Sequence, residues 1–435
     1  MNDENTKLSA NDAWIKILKK YDILNKLKKN GYFNIKSSQI KEFREPRLMA
    51  KWDSSETLPK ILIDNKINIL PTSRSSYILS DFILYKEFPE SSRSLNEFKM
   101  IELPELESIN IENINSESNA INILLLSNAL SDFLESDENY CTFNGRMGTG
   151  IFDFKVDSFS GVKREVHVEN AQCEIDGGFE NSSSIVIMEA KNVVYEDFHI
   201  RQLYYPYRLW KEKVNKPIRL IYSVYSNKIY RILEYRFLDV NDYSSIELVK
   251  EKCYSLEDTS ITFNELNQIK QETAVVTNDN MDNTDIPFIQ ADRFDRIISL
   301  LEHLYNNPMS SQEIAELMEF ELRQSDYYYN AGKYLGLFDK IKDEDNNILI
   351  ILTDLGNKLF KMGYKKRQLT FVELMLQHQI FADCFDFISL NGKVPTITFV
   401  KEKMLKNNVC GEGQIGRRAS SVLGWCKWII NLISD

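Results

Sequence analysis

The chain has 435 residues, enough for two or three domains, and its 43% hydrophobic and 27% charged residues exclude a disordered chain. No run of about 18 uninterrupted apolar residues occurs, so no membrane-spanning helix is expected. The net charge of −11 argues against a generally basic nucleic-acid-binding surface.

In chain order, 12–29 reads as an amphipathic helix, with Trp14, Ile15, Leu18 and Leu24 or Leu27 opposite lysines. Short β-like runs follow at 60–63, 67–70 and 76–85. Ahead of these runs, 42–53 is dense in charge. Arg44, Arg47 and Lys51 there are read either as phosphate contacts or as members of an internal salt-bridge network, and Arg74 and Arg146 are similar cases. Residues 113–136 look helical, with Ser116 as the cap. Strands are expected at 149–156, 165–168, 171–175 and 184–189. The Gly-rich stretch 145–150 lacks Gly-Lys-Ser/Thr and precedes a strand, so ATP binding is not expected. A helix over 200–213 and strands over 217–224 and 228–237 come next. Residues 201–234 carry eight Lys and Arg against Glu212 and Glu234, and 361–435 carries 11 against 6 acids. Local basic stretches of this kind decide phosphate contact, although a solvated face explains each one as well.

From 264 to 288 the chain turns polar and Asn/Asp-rich, which reads as a linker. The expected division is an accessory region over 1–110, a core over 111–263, a linker over 264–290 and a mainly helical region over 291–435. The fold class is α/β (α+β). Six scattered cysteines with no Cys-x-x-Cys pair, and four histidines, argue against zinc. With the polar start at Met1, which does not resemble a secretory signal, they suit a reducing cytoplasm.

The most informative run is 174–191. Asp176 is expected to end a strand and enter a turn at Gly177-Gly178. Ile185 to Met188 is apolar on both faces and therefore reads as a buried strand. Glu189 and Lys191 lie two apart on one face of that strand, with Ala190 pointing away. A buried strand that ends in two charges on one face needs a partner or a task. Two carboxylates and a lysine converging from adjacent strands suit phosphodiester hydrolysis, in which a hard cation takes oxygen ligands and the lysine orients or deprotonates water.

Asp176, Glu189 and Lys191, in the order acid, spacer, acid-x-Lys, resemble the PD-(D/E)xK nuclease superfamily. Ile175 stands where that pattern has Pro. The resemblance implies a mixed sheet flanked by helices, with Mg²⁺ (Mn²⁺ as substitute) held by Asp176, Glu189 and the Ala190 carbonyl. It also implies an assisting acid on the preceding helix, for which Glu117 is the choice and Glu174 the spare, and a helix residue, Gln202, at the site.

Beyond the linker, a helix over 293–305, a short helix capped by Ser310 with Glu313, a second helix over 323–335 stopped by Gly336, and a strand at 348–352 follow the order of winged-helix modules. That likeness implies that Arg323, Gln324, Ser325, Tyr328, Asn330 and Lys333 face a major groove, or that the module binds protein instead. At 416–421, Arg417, Arg418 and Ser420 are expected to open a final helix whose N-terminus favours phosphate.

Taken together, the chain resembles a type II restriction endonuclease. This implies a cytoplasmic homodimer, one site per strand, cutting double-stranded DNA with Mg²⁺ and without ATP or a membrane. A structure-specific repair or junction nuclease, and a DNA-binding regulator with an inactive nuclease-like domain, are the alternatives.

Overall fold

The computed structural model describes residues 8–89, 99–103, 106–276 and 286–434, and the protein is mixed α/β. The middle of the expected linker, 277–285, lies outside the described residues.

A mixed sheet occupies the centre. Among the described residues its strands run in the order Lys99–Met100, Ile246–Ser255, Ile229–Phe237, Ile218–Ser226, Ile185–Lys191, Gln172–Glu180 and Tyr140–Gly148. Ile185–Lys191 pairs parallel with Ile218–Ser226, and helix Arg201–Lys211 lies between them in sequence, as a parallel crossover requires. Both faces of Ile185–Lys191 are covered. Val186, Met188 and Ala190 pack with Ile121 and Leu124 of helix Glu117–Leu126, while Ile187 packs with Leu203 and Tyr204 of Arg201–Lys211. The unbroken apolar run at 185–188 thus becomes a strand buried on both sides.

The strand Gln172–Glu180 departs from expectation. Asp176 lies within it, and the turn comes later, at Asn181–Ser184, where the Asn181 side chain accepts from the Ser183 and Ser184 amides. Gly177 and Gly178 are strand residues that admit a close neighbour rather than a bend. A Cβ at Gly178 would lie 2.3 Å from both the ring and the carbonyl oxygen of Phe143 on the adjacent strand. That adjacent strand, Tyr140–Gly148, is irregular on either side of Phe143 and was not expected from sequence. Gly178→Ala is therefore expected to destabilise the protein by about 1–3 kcal/mol, because backbone as well as side chain must shift. A lowered thermal midpoint with no change in secondary structure would bear this out; an unchanged midpoint would refute it.

Residues 10–80 form a smaller unit. The expected single helix over 12–29 is two, Ala10–Lys20 and Ile23–Asn30, broken at Asp22 (φ 50°). The run 60–63, expected as β, is helical: Lys60–Asp64 follows Pro59, and its ends are tied by a 2.7 Å ion pair. Both helices pack on a three-stranded sheet of Tyr32–Lys36, Ser76–Ser80 and Asn68–Pro71.

The C-terminal unit begins earlier than the sequence suggests. Thr262 caps helix Phe263–Glu272 with Glu265 in a capping box, so the first part of the expected linker is helix. Ile261 and Leu266 belong to the same apolar cluster as Trp425. Helices Phe294–Asn306, Ser311–Leu317 and Leu322–Tyr334, then hairpin Phe338–Lys342 with Ile348–Leu352, follow in winged-helix order. Five further helices, Asp354–Phe360, Tyr364–Leu376, Gln379–Asn391, Ile397–Lys406 and Glu412–Asn431, complete it. Among the described residues, no helix is long and apolar enough to cross a membrane.

Candidate active site

The pairing of Ile185–Lys191 with Gln172–Glu180 ends at Met188 opposite Gly177. One residue beyond, the strands part, and the Asp176 carboxylate accepts the Ala190 N–H at 2.9 Å in place of the ladder. This fixes Asp176 at the mouth of the opening between them.

Inside the opening, Glu189 Oε1 accepts from Lys191 Nζ and from Gln202 Nε2, each at 2.6 Å. Glu189 and Lys191 are both buried, and helix Arg201–Lys211 brings Gln202 over them. Ser116 caps helix Glu117–Leu126, and that start places Glu117 3.6 Å from Lys191. The residues expected to act together, Asp176, Glu189, Lys191, Glu117 and Gln202, therefore line one cavity of about 250 Å³.

Burial pushes the Glu189 carboxyl up to about 8, with Asp176 and Asp53 adding to the rise against Lys191. Burial also raises Glu117. Burial opposes the Lys191 ammonium, but Glu189, Asp53 and Glu117 hold it well above its ordinary value. Negative charge here exceeds what one lysine balances, and such perturbed groups gather at functional sites.

One residue of the site was not foreseen. Asp53, nine-tenths buried, lies 3.8 Å from Lys191. Its only sequence signal is its place at the end of the charge-dense stretch 42–53; its partner lies far away in the chain. The backbone N–H groups of Asp53 and Ser54 donate to Glu319, at 3.0 and 2.9 Å, from the turn between two C-terminal helices. Asp53 Oδ1 and Gln202 Oε1 are buried without a hydrogen-bond partner among the described residues.

Those orphaned oxygens and the raised carboxyls fit a hard cation, which would satisfy oxygen donors and lower their proton affinity. Among the described residues, no three His, Cys, Asp or Glu side chains form a ready-made metal cluster. Asp176 and Glu189 would hold Mg²⁺ as a pair, leaving the remaining positions to water and substrate, as is common for this ion.

Arg47, Lys51, Arg146 and Arg201 line the same cavity, and with Lys41 and Arg74 they also line an adjoining groove of about 560 Å³. The acids lining that groove are Glu45 and Glu174, and Glu174 pairs with Arg146 at 3.3 Å. Arg44 faces elsewhere, donating to the Leu8 carbonyl at 2.6 Å.

The expected groove-reading helix is less exposed than its sequence implies. On Leu322–Tyr334, Ser325 and Tyr328 are buried: Ser325 donates to the Leu322 carbonyl, and Tyr328 stacks on Phe320. Tyr328 shares an apolar cluster with helix Phe294–Asn306, which a hydroxyl-bearing residue does not announce in sequence. Gln324 accepts the Glu321 N–H as part of the cap. Arg323 is exposed and lies 3.3 Å from Glu321, Asn330 is half-buried, and Lys333 lies near Asp339.

The final helix also differs. It starts at Glu412, so Arg417, Arg418 and Ser420 lie beyond its first turn and away from the free N–H groups. Gly413 and Gly416 lie within it, where Ile415 and Ala419 are buried. Arg418 is buried, near Cys410, while Arg417 and Ser420 are exposed.

Three family models match the chain, each described as a domain of unknown function: DUF6996 over residues 11–79, DUF6997 over 80–255 and DUF7226 over 296–434. No curated protein and no solved structure matches it.

Proposed function

We propose that the protein is a Mg²⁺-dependent endonuclease that hydrolyses phosphodiester bonds in double-stranded DNA, at a defined sequence and as a homodimer. The observation that carries this reading is the convergence of Asp176, Glu189, Lys191, Glu117 and Gln202 in one cavity that opens onto a groove lined by six Lys and Arg.

Each residue has a task set by its position. Arg47, Lys51, Arg146 and Arg201 draw the phosphate backbone along the groove toward the carboxylates. Asp176, anchored by the Ala190 N–H, and Glu189, anchored by Gln202, would hold Mg²⁺ through their carboxylate oxygens. A bound Mg²⁺ supplies neutralisation of the phosphate and a more acidic water. Lys191 donates to the attacking water or to the phosphate oxygens, since its ammonium stays charged at neutral pH. Glu117, half-exposed at the cavity wall, accepts a proton from that water.

Incubating supercoiled plasmid with the purified protein and Mg²⁺ is expected to give discrete fragments, and EDTA is expected to abolish them. Cutting only at branched DNA would favour the junction or repair nuclease. Binding without cutting in Mg²⁺ or Mn²⁺ would favour an inactive nuclease-like regulator.

A further inference from the structure

The segment Asp53 to Glu56 joins all three regions of the protein beside Lys191. Ser54 Oγ and the Ser55 N–H donate to Asp197 at 2.8 Å, and the Asp53 carbonyl accepts the His199 N–H at 2.8 Å. Glu56 pairs with the fully buried Arg296 of helix Phe294–Asn306, one contact being 3.1 Å. Glu319 takes the Asp53 and Ser54 N–H groups on a single oxygen. The same turn is held from the sheet side, where Tyr195 donates to the Leu317 carbonyl at 3.4 Å.

Glu319 does this at a conformational cost. Its φ is +50°, in the left-handed region that a residue with a Cβ avoids and glycine enters freely. The turn between Ser311–Leu317 and Leu322–Tyr334 would form more readily with glycine there. The flanking Met318 and Phe320 are buried and close the turn whatever occupies 319. A strained non-glycine residue whose side chain reaches into another region has a use for that side chain.

We propose that Glu319 is a positioning residue: it holds Asp53 against Lys191, so that the C-terminal helix-turn-helix unit sets the geometry of the lysine. Glu319 touches no reacting atom. It acts through the Asp53 backbone, and a shift of helix Leu322–Tyr334 on engaging DNA moves that backbone through a turn only two residues from the helix cap. Where it concerns cleavage, the inference rests on the nuclease reading; the contact with Lys191 does not.

The test compares wild type, Glu319→Gly and Glu319→Gln. Glycine relieves the backbone and removes the acceptor, while glutamine keeps an amide oxygen able to accept both N–H groups. Two readouts are taken: cleavage kinetics, and the Lys191 side-chain resonance in protein carrying ¹³C-lysine, assigned by its loss in Lys191→Met. Glu319→Gly is expected to lower kcat at least about tenfold with KM little changed, and Glu319→Gln to restore much of it. The Lys191 resonance is expected to move in the glycine variant and return toward wild type in the glutamine variant. A Lys191 resonance that coincides in wild type and Glu319→Gly overturns the proposal. If the wild type cuts no DNA yet the resonance moves, the nuclease reading fails and the link from Glu319 to Lys191 stands.

Discussion

Lys191→Met is expected to remove DNA cleavage, by at least about 10³-fold in kcat, while leaving the protein folded and able to bind DNA. Methionine keeps an unbranched apolar stem, one atom shorter, and carries no donor, so the loss reports the ammonium. Removing one partner of a buried ion pair ordinarily costs about 3–5 kcal/mol, because the other charge is stranded. Here the cost is smaller. Glu189 is already pushed up to about 8, so it takes up a proton near neutral pH and is not left as a bare charge. Its other hydrogen bond, from Gln202, remains. Asp176→Ala is expected to abolish cleavage as well, and it also frees the Ala190 N–H at the point where the strands part. Cleavage of plasmid, with binding followed separately by mobility shift in Ca²⁺, checks both. An unchanged cleavage rate in either variant would remove the active-site assignment.

The second large effect is on stability. Without metal, the protein is expected to lose stability as pH rises between about 6.5 and 8. Glu189 and Glu319 both have carboxyls raised to about 8, Glu189 by burial with Asp176 and Asp53, Glu319 by burial with Asp53. In the unfolded chain these groups ionise near 4.5. Between the two values the folded state holds more protons than the unfolded state. The stabilisation is therefore complete below 4.5 and is lost as pH climbs toward 8. Burial holds the His199 and His303 imidazoles below 6.5, so they act in the opposite direction at lower pH, and the effect is clean only above that value. The expected fall is on the order of 1 kcal/mol per pH unit. Mg²⁺ should flatten it, since a carboxylate bound to metal no longer competes for a proton. Thermal unfolding in EDTA and in Mg²⁺, at about pH 6.8 and about pH 8, measures both slopes. Equal midpoints in EDTA at the two pH values would contradict the burial of the site.

Much of the local chemistry was legible in sequence. Period-two patterning placed Glu189 and Lys191 on one face, and they hydrogen-bond to each other. Ser116 and Ser310 cap helices as expected, because a side-chain oxygen beside a free N–H acts within three residues. The glycines at 177–178 read as a turn but lie within a strand. A glycine permits a turn, but it also permits a close neighbour, and sequence does not say which.

The run from Glu174 to Lys191 by itself determined the central strand, its charged end and the pairing of Glu189 with Lys191. Those depend on alternation and burial along a few residues. Only the tertiary structure decided that Asp53 and Glu319 belong to the same place, that Ser325 and Tyr328 turn inward, and that Arg47 and Lys51 face the cavity while Arg44 does not. Asp53 and Glu319 are 266 residues apart, and Arg44 bonds Leu8 from 36 residues away. Their contacts follow from how whole elements pack, and residue spacing carries no record of that.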